Sequence, residues 1–170
     1  MPLIQCPCRR LLMIPLMKML CVKKVIGLTR ITSPDLHRLA ESMGVTLTRH
    51  TGGEKGWYDH ATRTISTRRG MSIAQYRSTL AHELGHAHHG DTPTGNGHYD
   101  QRQENRAWAY AANLLISPVD FAAAALWHND NVPAIADELE VTQHLLKFWI
   151  NELERTSHDL STARPLRSAS

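Results

Sequence analysis

Apolar residues recur with a helical period in six segments of the chain after residue 30. In each segment an apolar side chain returns every three or four positions, as expected for one buried helix face. Ser-Pro pairs or a Ser-to-Gln capping box open three of these segments. The predicted helices cover about residues 34–43, 73–89, 101–116, 118–127, 133–140 and 143–153.

Three shorter stretches have the β-branched and aromatic composition of strands. Val45–Thr48 follows the first helix, and Trp57–Tyr58 and Thr64–Thr67 flank a short connection. A strand near Ile65 could bind an extended peptide along its edge, provided that this edge is free. The whole pattern predicts an α+β fold that is mostly helical, with a short sheet beside the helix at 73–89.

The helix at 73–89 has two contrasting faces. The apolar face, which should meet the core, carries Ile73, Tyr76, Leu80, Leu84 and Ala87. The opposite face carries Gln75, Thr79, His82, His86 and His89. Because a solvent-facing surface without a function rarely stacks three histidines, this second face is a candidate metal site.

Residues 82–86 read His-Glu-Leu-Gly-His, the H-E-x-x-H pattern of zinc metalloproteases. Histidines four apart lie one helical turn above each other and can reach one Zn²⁺ at roughly 2.0–2.1 Å. Glu83 is rotated by roughly 100° from His82, so it can face the open side of the metal. His82 and His86 are therefore the predicted ligands, and Glu83 is the predicted general base that takes a proton from a zinc-bound water.

A catalytic zinc site needs a third protein ligand and one open position. The downstream candidates are His88, His89, Asp91, His98, Asp100 and Glu104. Glu104 is favoured because it begins an apolar helix face that continues through Ala107 and Ala111. An unpaired carboxylate would be costly to bury there, and binding a metal would remove that cost. Small residues on that face would also let its helix approach the helix at 73–89. Asp100 and His98 remain alternatives.

At this point the residues resemble a known family. Arg77–His86, Glu104–Ala109 and Ala112–Pro118 are similar to three blocks of the ImmA/IrrE family of metallopeptidases: R-F-T-x-A-H-E-x-G-H, E-x-x-A-N-x-F-A and A-x-x-L-L-M-P. The resemblance spans roughly residues 35–150. Ser78 stands where the family has an aromatic residue, and Trp108-Ala109 replaces its polar-aromatic pair, departures that affect packing rather than ligation.

The resemblance implies a small zincin-like domain with a gluzincin-like HExxH…E site. His82 and His86 match the family's zinc-binding histidines, Glu83 its catalytic glutamate and Glu104 its third ligand. The implied chemistry is peptide-bond hydrolysis, and the implied partner is a helix-turn-helix repressor of a mobile element or stress response. A site of two histidines and one glutamate also accepts Mn²⁺ or Co²⁺.

Other polar side chains are candidates for contacts with the oxyanion or the substrate. Zincin-type sites often use Tyr or His to stabilise the negative charge that develops during hydrolysis. The candidates of this kind in the sequence are Tyr58, His60, His98 and Tyr99.

Charge and cysteine content separate the N-terminal segment from the rest of the chain. Residues 1–30 hold six cations, no acid and all three cysteines, so the rest carries a net charge of −3 although the chain's total is +3. We interpret residues 1–30 as a leader, disordered or wrongly included. No run of apolar residues reaches transmembrane length. A body without cysteines fits a reducing, cytoplasmic environment.

Residues 134–149 have the spacing of a helix-turn-helix. The alternative function is therefore a DNA- or protein-binding regulator with a non-proteolytic zinc site. Against DNA binding, the second helix has Lys147 as its only cation, and four glutamates surround it. We interpret residues 31–128 as the metallopeptidase domain, 129–156 as a helical cap and 157–170 as a flexible tail.

Overall fold

The computed structural model describes the backbone of residues 30–162 and the side chains as far as Ser157. This part of the chain is α+β, as the sequence predicted. Its elements are α1 (Ser33–Ser42), β1 (Thr46–His50), β2 (Gly56–Asp59), β3 (Thr64–Arg68), α2 (Ile73–His89), α3 (Gly97–Leu115), α4 (Pro118–Trp127), α5 (Val132–Glu138) and α6 (Gln143–Thr162).

The three strands form one sheet in the order β1-β3-β2. β1 is parallel to β3, with Leu47 opposite Ile65, and β2 is antiparallel to β3, with Tyr58 opposite Ile65. Because β3 is the central strand, both of its edges are paired. The prediction that a peptide could add to a strand near Ile65 is therefore wrong; among residues 30–162 the unpaired edges of the sheet lie on the outer strands, β2 and β1.

Helix α2 runs through the centre of the core. Leu80 and Leu84 on its apolar face are fully buried, while Arg77, one turn earlier, is buried as well. The guanidinium of Arg77 donates to the carbonyl of Ile31 at 2.5 Å and pairs with Glu140. The hydrogen bond joins α2 to the start of the described chain, and the ion pair joins it to the turn between α5 and α6.

The segment that resembles a helix-turn-helix packs into the same core. Leu139 and Val141 in the turn, and Leu145 and Leu146 on α6, are almost completely buried. α6 lies against α3, and its first residues stand at the edge of the cleft described below. The division of the chain at residues 128 and 156 stays a prediction.

Several predicted element boundaries differ from the structure. α1 is capped by Thr32 rather than Ser33, because the Thr32 backbone N–H donates to Asp35 at 2.8 Å. α3 begins at Gly97 rather than near Gln101, since the Asn96 side chain accepts from His98 N at 3.1 Å. α6 continues to Thr162 rather than ending near Leu153.

The predictions for the leader concern residues that, apart from Arg30, lie outside the described part of the chain, and the three cysteines lie there too. Among residues 30–162, no single helix is both long and apolar enough to cross a membrane. The pair α3 and α4, bent by 74°, reaches that length and composition only when the two helices are taken together.

Candidate metal centre

Helix α2 carries the candidate ligands, and a capping contact fixes each of its ends. Ser72 accepts from Gln75 N at 3.2 Å while the Gln75 side chain accepts from Ser72 N at 3.1 Å, which is the predicted capping box. The helix ends at Gly90, whose φ of +67° is a conformation that glycine adopts without strain. His82 and His86 therefore lie on regular helix, one turn apart.

The structure brings His82, His86 and Glu104 together. His82 Nε2 and His86 Nε2 are 3.1 Å apart. His82 Nε2 lies 3.3 Å from Glu104 Oε2, and His86 Nε2 lies 3.3 Å from Glu104 Oε1. Four ligands at about 2.0–2.1 Å from a tetrahedral zinc stand roughly 3.3–3.4 Å from one another. The three donor groups thus have the spacing that a zinc ion requires.

His86 is oriented by a carboxylate that the sequence offered only as a possible ligand. Its Nδ1 lies 3.0 Å from Asp91 Oδ2, and Asp91, which is almost fully buried, also pairs with Arg106. A carboxylate on the outer nitrogen of a histidine fixes the ring so that the other nitrogen faces a metal. His82 has no such partner within residues 30–157: its buried Nδ1 makes no hydrogen bond.

Close packing of α2 on α3 sets the position of Glu104. A Cβ on Gly85 would lie 2.9 Å from Ala107 Cα and 3.0 Å from Ala107 O, so the two backbones can approach this closely only at glycine. Glu104 lies one turn before Ala107 and reaches the histidines from there. Its side chain is 47% exposed, so the predicted burial cost of this carboxylate was wrong and does not explain its position.

Glu83 lies beside the two histidines, between α2 and the edge strand. Its side chain is almost fully buried, and a Cβ on Gly56 of β2 would lie 3.1 Å from its Oε1. Burial raises the pKa of Glu83 to about 8, and the negative charge of Glu104 adds to this shift. Burial also lowers the pKa of His82 to about 3, with the neighbouring His86 and His144 adding to it, so His82 is neutral. A neutral histidine is the form that binds a metal.

These residues line an open cleft of about 770 Å³. Its walls are α2, the edge strand β2, the loop after α2, the part of α3 from Asp100 to Trp108 and the start of α6. Both the face of α2 with His82 and His86 and the carboxyl group of Glu83 border this space. A cleft of this size at a three-ligand site can admit an extended peptide.

Of the remaining predicted residues, two line the cleft, Tyr58 and Asp100, and three do not, His60, His98 and Tyr99. Tyr58 lines the cleft, and its hydroxyl lies 3.4 Å from His60 Nδ1, while His60 itself is outside the lining. His98 and Tyr99 pair with each other in the first turn of α3, also outside the lining. Asp100 borders the cleft, but it caps the preceding loop by accepting from Thr94 N at 3.0 Å.

Sequence reasoning gave no role in the site to Trp108 or His144, both of which line the cleft. The Trp108 ring centroid lies 4.1 Å from that of His82 and 4.6 Å from that of His144. Trp108 had a signal in the sequence, since it is one turn after Glu104. His144 had none, because its contact with Trp108 spans 36 residues.

Comparison with curated proteins found no match. The family model of the IrrE N-terminal-like domain, peptidase M78, matches residues 40–150, which is well over half of the chain. The matched region includes the two histidines, both glutamates and the whole cleft. Its α+β architecture and its His-His-Glu group agree with a metallopeptidase, whose substrate is a protein. The chain belongs to the peptidase M78 family.

Proposed function

We propose that this chain is a zinc endopeptidase of the gluzincin type. In this proposal His82, His86 and Glu104 hold the metal, and Glu83 is the general base. The substrate is a helix-turn-helix transcriptional repressor in the cytoplasm, and its cleavage lifts repression. Mn²⁺ or Co²⁺ could replace zinc in a site with these ligands.

One observation carries the metal part of the proposal. The Nε2 atoms of His82 and His86 and the carboxylate oxygens of Glu104 are mutually 3.1–3.3 Å apart, and Asp91 on Nδ1 of His86 favours the tautomer whose Nε2 lone pair faces the other two groups. Without a cation, at most a single N–H on His82 Nε2 would serve these contacts, which leaves the lone pairs of His86 and Glu104 facing each other. A divalent ion removes that repulsion and uses every one of the three donors.

Glu83 is suited to proton transfer because it lies beside the ligands without being one of them. When bound, zinc supplies a Lewis acid that makes a water more acidic and polarises the scissile carbonyl. The Glu83 carboxylate accepts the proton of the attacking water and delivers it to the leaving amine nitrogen. The positive charge of the cation also favours ionised Glu83, opposing the effect of burial on its pKa.

The free edge of β2 offers a binding site for the peptide backbone. Arg68 N donates to Lys55 O at 2.8 Å. In the register of this antiparallel pair, the backbone N–H and C=O groups that point towards β3 are therefore those of Lys55, Trp57 and Asp59. The N–H and C=O groups of Gly56 and Tyr58 then point towards the free edge. An extended substrate could pair with them, passing Glu83, while the Tyr58 hydroxyl donates to the substrate.

The repressor as substrate rests on the family resemblance and not on a contact in the structure. The cleft is open, and it borders the start of α6 in the segment 129–156 that we interpret as a helical cap. This cap would meet a folded protein substrate as its peptide enters the cleft. Cleavage of an accessible loop or linker of the repressor is expected, because an extended peptide is needed along β2.

The test is cleavage of a purified helix-turn-helix repressor encoded next to this chain. Zinc-loaded wild-type protein should cut the repressor, and Glu83→Gln should keep its zinc but cleave about 10²- to 10⁴-fold more slowly, because the base is lost. Glu41→Gln, a change at an exposed position of α1 that does not line the cleft, is the matched control and should cleave normally. Substantial proteolysis by Glu83→Gln would exclude Glu83 as the base.

The metal ligands are tested by zinc content after dialysis. Glu104→Ala should lose most of its zinc, whereas Asp100→Asn and His98→Ala should retain it. Unchanged zinc in Glu104→Ala would point to one of those alternatives as the third ligand. Stoichiometric zinc in the wild type, with no cleavage of any repressor, would instead favour the non-proteolytic regulator.

A further inference from the structure

His144 is an exposed histidine at the wall of the cleft with no role in the proposed chemistry. It is the second residue of α6, and within residues 30–157 its ring makes no hydrogen bond. Its imidazole N–H therefore remains available to a ligand. Its position is nevertheless restricted by the contacts described next.

The start of α6 is anchored next to the metal ligands. Thr142 N donates to Ser78 Oγ at 2.9 Å, and Thr142 Oγ1 accepts from Leu145 N at 3.3 Å. Ser78 is buried and lies one helical turn before His82 on α2. The two residues after Thr142 are thus held near the ligand face of α2, although the chain reaches this point 58 residues after His86.

Trp108 packs against both the His144 ring and the ring of the candidate ligand His82. The indole ring contacts both histidines, His82 at a centroid distance of 4.1 Å and His144 at 4.6 Å, with the His144 ring nearly perpendicular at 72°. Trp108 is fixed on α3 one turn after Glu104. The same rigid helix therefore positions one candidate ligand and the aromatic surface against which His144 rests.

The two walls of the cleft differ in the groups that they offer. Glu83, a proton acceptor, lies against β2, whereas His144, a proton donor, stands on the side formed by α3 and α6. Hydrolysis of a peptide places a proton on the leaving nitrogen and negative charge on the former carbonyl oxygen. An acceptor on one side and a donor on the other match these two requirements.

We propose that His144 is a further catalytic residue, whose ring N–H donates a hydrogen bond to the scissile carbonyl oxygen as that oxygen gains negative charge. The proposal rests on the proposed endopeptidase function and assigns a residue to it. A neutral imidazole suffices, since either ring nitrogen can carry the proton. Trp108 acts as a positioning residue by limiting the orientations of the ring.

Two substitutions separate donation from packing. His144→Phe keeps an aromatic edge against Trp108 but has no N–H, while His144→Gln loses the ring but keeps an N–H donor. Gln143→Ala, the exposed neighbour that does not line the cleft, is the matched control. Zinc content and thermal unfolding are measured for all three variants, and we expect them to equal those of the wild type.

The first measurement uses binding rather than catalysis. The zinc-loaded proteins are titrated calorimetrically with a phosphinic peptide, which carries a tetrahedral anion, and with acetohydroxamate, a metal-binding compound without one. His144→Phe should bind the phosphinic peptide about 10- to 100-fold more weakly, the loss expected for one hydrogen bond to a charged group. Acetohydroxamate affinity should not change, and His144→Gln should recover part of the phosphinic-peptide affinity.

The second measurement is the rate of repressor cleavage. His144→Phe should lower kcat by about 10²- to 10³-fold, while KM stays near the wild-type value, because the bond forms only as charge develops. Equal affinity of wild type and His144→Phe for the phosphinic peptide would overturn the proposal, whether or not the protein cleaves. A His144-dependent affinity in a protein that cleaves nothing would support the donor and overturn the proposed function.

Discussion

Helix α2 buries two side chains that ordinarily carry a charge at neutral pH, Arg77 and Glu83, in opposite electrostatic surroundings. Arg77 is 1% exposed and Glu83 is 6% exposed. The nearest charge to Arg77 is that of Glu140, of opposite sign, and the guanidinium also donates to the Ile31 carbonyl. The charge that acts on Glu83 is that of Glu104, of the same sign.

The difference indicates what each side chain is for. Burial lowers the pKa of Arg77, but Glu140 opposes this shift, so the cation is compensated within the chain. Burial and Glu104 both raise the pKa of Glu83, so the chain alone does not compensate that anion. A fold gains nothing from an uncompensated buried acid. Its retention beside His82, His86 and Glu104 agrees with the proposal that a cation binds there.

Removing Arg77 should have the largest effect on folding. Arg77→Ala leaves a cavity in the core and the Ile31 carbonyl without its donor, so the free energy of unfolding should fall by about 2–5 kcal/mol. Urea unfolding with chelator present measures it. Because Arg77 does not touch the ligands, the zinc affinity of the folded protein should stay unchanged; a large drop in affinity would contradict the comparison.

Gly85→Ala should lower both the stability of the fold and the affinity for zinc. The new Cβ would meet the backbone of Ala107, which cannot rotate away, so α3 must move and carry Glu104 with it. We expect a loss of about 1–3 kcal/mol in the free energy of unfolding, together with weaker zinc binding. Gly97→Ala, where a Cβ meets nothing within 4 Å, is the control: it should leave zinc binding unchanged and should not lower the free energy of unfolding, because alanine restricts the unfolded chain more than glycine does.

Asp91→Asn should weaken zinc binding more than it destabilises the fold. The amide keeps the shape of the side chain but loses the negative charge that orients His86 and pairs with Arg106. Zinc affinity, measured by competition with a chelator, should fall by about 10- to 100-fold. Equal affinity in wild type and Asp91→Asn would show that Asp91 has only a structural part.

The smallest effect is a pH dependence of the metal-free protein. Glu83 has a pKa of about 8 in the folded chain against an ordinary value of 4.5, and His82 has about 3 against 6.5. Between pH 4.5 and 6.5 the two shifts oppose each other. From pH 6.5 to 8, of these two groups only Glu83 differs, protonated when folded and ionised when unfolded, so its contribution to stability falls as pH rises, by at most about 1.4 kcal/mol per pH unit.

Urea unfolding of the metal-free protein across that pH window measures the slope. Glu83→Gln cannot ionise, so its stability should be level between pH 6.5 and 8. Saturating zinc should remove the slope in the wild type as well, because the cation stabilises ionised Glu83. The same fall in both metal-free proteins would mean that another group is responsible.

The parts predicted from the sequence depend on local signals. The capping box at Ser72 and the terminal Gly90 defined α2, and a four-residue spacing placed His82 and His86 on one face. Short-range composition failed at α3, because Gly97–Asp100 reads as a loop although Asn96 caps it as a helix. The order of the three strands was not predictable, since the central position of β3 depends on the parallel pairing with β1.

The less predictable parts of the site depend on contacts between distant segments. Asp91 reaches back to His86 only because Gly90 turns the chain, and its pairing with Arg106 spans 15 residues. The approach of His144 to Trp108 requires α6 to pack on α3 with one particular offset. Glu104 was chosen from the sequence for a burial that the structure does not have, and its spacing to the histidines supports it instead.

The close contact at Gly85 determines which substitutions the protein can accept during evolution without moving its candidate ligands. The spacing of the three candidate ligands depends on the absence of a side chain at Gly85, where α2 and α3 meet. The proposed chemistry depends instead on Glu83 and His144, and neither of these residues holds α2 against α3. A single nucleotide change could therefore silence hydrolysis and leave an intact metal-binding scaffold. Descendants that bind metal without cutting protein should retain glycine at position 85 and vary at 83 or 144.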